Sequence, residues 1–145
     1  MLSMALALQK VVLRSKFAAA ALAALWAASA QQKQNPNFTG TVTRVTGNSE
    51  AAIAHFRFEA GARTRWHSHE GGQIILVEDG VCRTQVKGGP VVELHAGETT
   101  YVQPGVPHWH GAAPGQACTQ FNVTRGKVNW LEEVTEKEYT APAKK

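Results

Sequence analysis

From Phe38 onward the chain alternates apolar and polar positions in short runs, separated by glycine, proline or charged breaks. The runs fall at 38–45, 51–58, 63–69, 73–77, 81–86, 91–94, 99–103, 108–112 and 118–123. Many short strands at such close spacing predict an all-β sandwich or barrel. Side-chain parity adds detail, because alternate residues of a strand share a face. In 51–58, Ala52, Ala54, Phe56 and Phe58 make an apolar face, while His55, Arg57 and Glu59 lie opposite, so His55 reads as a surface residue. In 73–77, Gln73, Ile75 and Val77 share one face, yet Ile74 and Leu76 on the other are also large and apolar. A strand apolar on both faces has both covered, and in one small domain a second copy of the chain is the natural cover. A homo-dimer or homo-tetramer is therefore expected. Only the end departs from the strand pattern: Thr135-Glu-Lys-Glu138 matches a capping box, which predicts a helical turn after 130–134.

The first thirty residues follow a different rule. Lys10, Arg14 and Lys16 precede an apolar stretch over 17–28, and Ala28-Ser29-Ala30 fits a small-residue cleavage site. The stretch is too short for the roughly 20 residues a membrane-spanning helix needs, so a cleaved signal segment at 1–30 is expected. That places the mature protein in the periplasm or outside the cell. Residues 31–37 are a polar lead-in, 38–134 the barrel, and 135–145 a C-terminal turn and tail.

Cleavage changes the charge. Of 15 Lys and Arg against 11 Asp and Glu, three basic residues and no acids lie in the segment, leaving a net charge of +1. The rest are scattered, which argues against a nucleic-acid partner. Cys82 and Cys118 would enter an oxidising compartment, and the sequence leaves both a disulfide and a pair of buried thiols open.

The candidate chemistry is concentrated in two places. Four of the six histidines lie in His67-Ser-His69 and His108-Trp-His110. His67 and His69, two apart on a strand, point the same way. Gly71-Gly72 permits a reversal that would bring Gln73, at the head of a partner strand, beside them, and His108 is the natural fourth ligand. His110 shares the parity of His108; Trp109 faces the other way, toward a core or an interface.

The spacing Gly61-x5-His67-x-His69-x3-Gln73-x6-Gly80 resembles the first motif of the cupins, with Gln73 where glutamate is usual. Gly97-x5-Gln103-x-Gly105-x2-His108 resembles the second, with Gln103 replacing a proline and Ala112 an asparagine. The resemblance implies a single-domain cupin, a double-stranded β-helix or jelly-roll barrel. Over roughly 38–140, FTGTV, FEAGARTRWHSH, GGQ, PGVPHWHGAAP and NWLEEVTEKEY look like the small bacterial cupins described as manganese-dependent (R)-hydroxynitrile lyases. By that resemblance His67, His69, Gln73 and His108 hold one divalent ion, manganese first, with iron, zinc, nickel and cobalt as alternatives. Ala54, Phe56, Gln120 and Thr124 would shape the substrate pocket, Gln120 at the catalytic position; His110, by its shared parity with His108, is the chain's own candidate for a catalytic base, with an oriented structural histidine as the alternative.

Where the subgroup carries a histidine thought to move a proton, this chain has Gln120, which cannot titrate. The three imidazoles and one carboxamide are all neutral and leave the ion its full charge, which favours Lewis-acid chemistry on a small molecule. A metal-dependent dioxygenase and a non-catalytic metal- or ligand-binding protein are the alternatives.

Overall fold

A computed structural model describes residues 35–48 and 53–144. The expected signal segment, most of the lead-in, and Ala51 and Ala52 lie outside the described residues. The strands are β1 Phe38–Thr39, β2 Val42–Asn48, β3 Ile53–Phe58, β4 Arg63–Thr64, β5 His67–His69, β6 Gln73–Val86, β7 Val91–His95, β8 Thr99–Val102, β9 His108–Ala112, β10 Cys118–Thr124, β11 Val128–Trp130 and β12 Ala143–Lys144. One helical turn, α1, spans Glu136–Tyr139 and carries the expected capping box between Thr135 and Glu138. Among the described residues no helix is long and apolar enough to cross a membrane.

The long strand β6 organises the barrel, because its two halves belong to different sheets. Its first half pairs with β8 on one side and β10 on the other, and β3 and β2 continue that sheet. Its second half pairs with β7 and β9, and β9 reaches β4 and β5. The sequence reads as two strands broken at 78–80; the break is instead a corner within one strand. Gly80 makes that corner with φ of 78°, and a Cβ there would collide with the Ala117 carbonyl oxygen.

Two other expectations change. The run 63–69 is two strands, β4 and β5, because Trp66 between them turns into a cluster with Val91, Trp109, Val134 and Tyr139. The run 73–77 is not the partner of 67–69 either: β5 pairs with β9 and with β11, a strand the sequence pattern did not reveal. Gln73 still faces the histidines, but through barrel closure rather than a hairpin.

Inside the barrel, parity and register grade the wall from apolar to polar. On β10, Cys118, Gln120 and Asn122 face Phe58, Phe56 and Ala54 of β3. Gln120, Asn122 and Thr124 likewise meet Val77, Ile75 and Gln73 of β6. The apolar end holds Phe58, Ala62, Val77, Cys82, Leu94, Ala112 and Cys118. There the cysteine alternatives resolve: Cys82 and Cys118 are disulfide-bonded, with Cα atoms 5.6 Å apart. The bridge ties β6 to β10. Burial of the apolar side chains in this end contributes about 1.5–3 kcal/mol each.

The outer face of the β9 sheet is covered by the chain's own C-terminus. Trp109 is fully buried and packs against Tyr139 with ring centres 5.7 Å apart, and the Tyr139 hydroxyl donates to the Ala112 carbonyl at 2.7 Å. Arg63 donates to Val134 O and Glu136, and Arg83 donates to Tyr139 O and Glu93. The expected tail is thus part of the fold, and β12 adds to β7 in parallel. The outer face of the other sheet has no such cover among the described residues. There Ile74 is 42% exposed and Tyr101 52%, with Leu76, Phe121 and Val123 half-buried beside them.

Candidate metal centre

The polar end of the barrel gathers five residues around one space: His67 and His69 from β5, Gln73 from β6, and His108 and His110 from β9. All five are buried. His67 and His108 are direct cross-strand partners with ring centroids 4.3 Å apart. Nitrogens of His67, His108 and His110 lie within 4.8 Å of one another, a spacing at which three imidazoles can hold a metal ion. The ring of His69 lies 5.1 Å from that of His67 and 5.8 Å from that of His108. The three histidines expected as ligands, His67, His69 and His108, are thus neighbours, and the His110 ring lies beside them, 5.2 Å from His67.

Hydrogen bonds fix the tautomers of two of them. Nδ1 of His67 lies 2.9 Å from the Arg65 carbonyl, and Nδ1 of His108 lies 3.0 Å from the Val106 carbonyl. A carbonyl only accepts, so both Nδ1 atoms carry the proton, and each neutral ring turns a bare Nε2 lone pair inward. The same local arrangement, a ring bonded to the carbonyl two residues back, thus orients both ligands. Gln73 Oε1 lies 2.6 Å from His108 Nε2. A bare Nε2 accepts, so the amide turned the other way places its N–H as the donor in that contact.

Burial keeps these rings neutral. It lowers His67 to about 3, helped by repulsion from His108 and opposed by the Arg65 carbonyl. His69 falls to about 4 through burial and then His108. His108 is lowered by burial against the pull of the Val106 carbonyl, and burial puts His110 well below its ordinary value, with His67, His108 and His69 adding to the effect. Both nitrogens of His69 and Nδ1 of His110 are buried with no partner among the described residues. Neutral, converging, underbonded imidazoles are the donor set a divalent cation needs, so the residues present fit a metal.

A cavity of about 220 Å³ opens onto this centre. His67, His69, Gln73 and His110 form its polar floor; Phe38, Ile53, Ala54, Phe56 and Trp130 are its apolar wall. Thr124 and Asn122 complete one side, and the exposed Arg44 borders it, with its guanidinium 6.0 Å from the Phe56 ring centre. Ala54, Phe56 and Thr124 line this cavity. Gln120 lies deeper: fully buried, it donates to the Gly111 carbonyl at 3.4 Å behind His110 and is not part of the wall. His55 is on the outer surface, paired with Glu78.

Asn122, Trp130 and Phe38 are among the wall residues that escaped the sequence reading. Asn122 was within reach of it, since the parity that turns Gln120 and Thr124 inward turns Asn122 inward too. Trp130, 4.9 Å from the His67 ring, and Phe38 could not be placed without knowing that β11 closes against β5.

Comparison with known proteins agrees with this architecture. The cupin domain model matches residues 54–123. The chain is 41% identical over 111 residues to an (R)-mandelonitrile lyase of Granulicella tundricola, covering 70% of this chain and 85% of that one. A cupin-like protein of Thermotoga maritima of known structure is 36% identical, with a TM-score of 0.65 over 74% of this chain and 90% of the other. A polyketide cyclase of Streptomyces resistomycificus, 22% identical with a TM-score of 0.55 over 73% of this chain and 80% of its own, shares the fold. With the barrel, the two histidine-bearing strands and these relatives in agreement, the chain belongs to the cupin family.

Proposed function

We propose that this protein is a divalent-metal-dependent lyase that cleaves the carbon–carbon bond of a small aromatic cyanohydrin. The observation that carries the reading is a set of neutral imidazoles and a carboxamide at the floor of an apolar cavity, in a chain 41% identical to an (R)-mandelonitrile lyase. His67, His69, Gln73 and His108 are the proposed ligands. A divalent ion there would supply Lewis-acid stabilisation of the negative charge that develops as the bond breaks. Manganese is the metal to test first.

The chain's own residues account for the remaining roles. Phe38, Phe56 and Trp130 provide an apolar wall for the aromatic ring. Cleavage sends the bonding electron pair to the cyanide carbon, turns the hydroxyl carbon into a carbonyl, and releases the hydroxyl proton. His110, neutral and on the cavity floor, is placed to take that proton. A ring so reluctant to stay charged hands it on to cyanide, a stronger base, so the products are an aldehyde and hydrogen cyanide. Gln120, behind His110, can orient that ring but cannot carry the proton. The Cys82–Cys118 bridge supports export to an oxidising compartment.

The test is metal analysis of protein purified without a metal-affinity tag, followed by mandelonitrile cleavage with the matched metal, corrected for the spontaneous reaction. Metal-dependent release of benzaldehyde is expected. No cleavage with any of manganese, iron, zinc, nickel or cobalt would overturn the reading.

A further inference from the structure

Asn122 is the buried polar group that the fold leaves without an internal role. Its residue is 2% exposed and lines the cavity, yet neither Nδ2 nor Oδ1 has a partner among the described residues. Its cross-strand neighbours are Ala54 and Ile75, whose side chains cannot hydrogen-bond to it. A buried carboxamide left unsatisfied destabilises the fold, and a leucine or valine would fill the position without that penalty. Ala54, the small residue beside it, also lines the cavity. Unlike Gln120, whose amide donates to the Gly111 carbonyl, Asn122 has an unpartnered donor on a residue that lines the cavity.

We propose that Asn122 binds the nitrile of the substrate, donating its Nδ2–H to the nitrile nitrogen and so fixing which way the cyanohydrin carbon faces His110. The donor suits the chemistry because negative charge grows on the cyanide as the carbon–carbon bond breaks, and a preorganised neutral N–H strengthens its hold as that charge appears. A nitrile is a linear acceptor with no proton to give, so a donor is what its recognition requires. The assignment deepens the lyase reading and rests on it for the identity of the substrate, but it is a statement about binding that can be measured without turnover.

The experiment uses two probes that each keep half of the cyanohydrin's polar groups: benzonitrile, with the nitrile and no hydroxyl, and benzyl alcohol, with the hydroxyl and no nitrile. Their affinities for the manganese-loaded protein are measured by equilibrium dialysis for wild type, Asn122→Ala and Asn122→Leu. The leucine keeps the shape and removes the donor, so it serves where the alanine perturbs packing; metal content and melting temperature are recorded for each. Benzonitrile should weaken about tenfold in both variants, while benzyl alcohol changes less than threefold. For mandelonitrile, KM should rise and kcat fall together. Unchanged benzonitrile binding, or equal weakening of both probes, would overturn the assignment. Selective loss of benzonitrile in a protein that never cleaves mandelonitrile would support the nitrile site and sink the lyase reading alone. Cleavage with unaltered kcat and KM in both variants would do the reverse.

Discussion

His67 and His108 are register partners across β5 and β9, and each is held by the carbonyl two residues before it, Arg65 for one and Val106 for the other. Two segments some forty residues apart in sequence thus place two Nε2 lone pairs on one point. The local bonds do this before any metal arrives, which lowers the cost of assembling the centre.

Metal content should separate the two flanks of the histidine row. His67→Ala and His108→Ala should each abolish tight binding, and His69→Ala and Gln73→Ala should weaken it by about 10- to 100-fold, the range typical of lost ligands and their supports. His110→Ala should retain the metal while losing about 10²- to 10⁴-fold in cleavage, as expected for a proton acceptor. Metal analysis of the five variants decides it. Loss of metal in His110→Ala with retention in His69→Ala would move the ion to the other side of His67.

The metal-free protein should lose stability in acid. His67 and His69 sit near 3 and 4 in the fold against 6.5 when exposed, so between those values the unfolded chain binds protons that the folded chain refuses. Stability is then full above about pH 6.5 and declines as pH falls toward 4 and 3. Urea midpoints at pH 7, 5.5 and 4.5 should decrease in that order, and His67→Gln should flatten the trend. A midpoint independent of pH in this window would contradict the buried, neutral centre.

Reducing the disulfide should cost stability rather than chemistry. Cys82 and Cys118 are separated by 36 positions, and closing a loop of that size restricts the unfolded chain by about 3–4 kcal/mol. A Cys82→Ala, Cys118→Ala double variant should unfold at lower denaturant by that margin, yet bind the same amount of metal when folded. Denaturation with and without reductant measures it.

Self-association should use the uncovered sheet. Ile74 lies between Tyr101 and Val123 in register, and Leu76 beside Phe121, which makes one continuous apolar strip across three strands. Light scattering at micromolar concentration should give a dimer or tetramer mass, and Ile74→Glu should shift it toward monomer. A wild-type monomer would reject the idea.

The barrel class, the inward parity of β3, β9 and β10, and the identity of the histidine cluster were legible in the sequence, because alternation is a local property of the extended chain. The capping box at Thr135 was legible for the same reason: all its partners lie within four residues. What lay beyond the sequence depends on contacts between distant segments. A glycine corner is indistinguishable from a strand end until Ala117 is known to lie against Gly80, so β6 looked like two strands. The pairing of Cys82 with Cys118 depends on the corner at Gly80, which lies opposite Cys118 two residues before Cys82, and no spacing encodes it. Asn122 and Gln120 share a face of one strand. Only the closed barrel decides that one meets the cavity while the other is spent behind His110, because which inward side chain reaches a pocket is set by the neighbours that close around it.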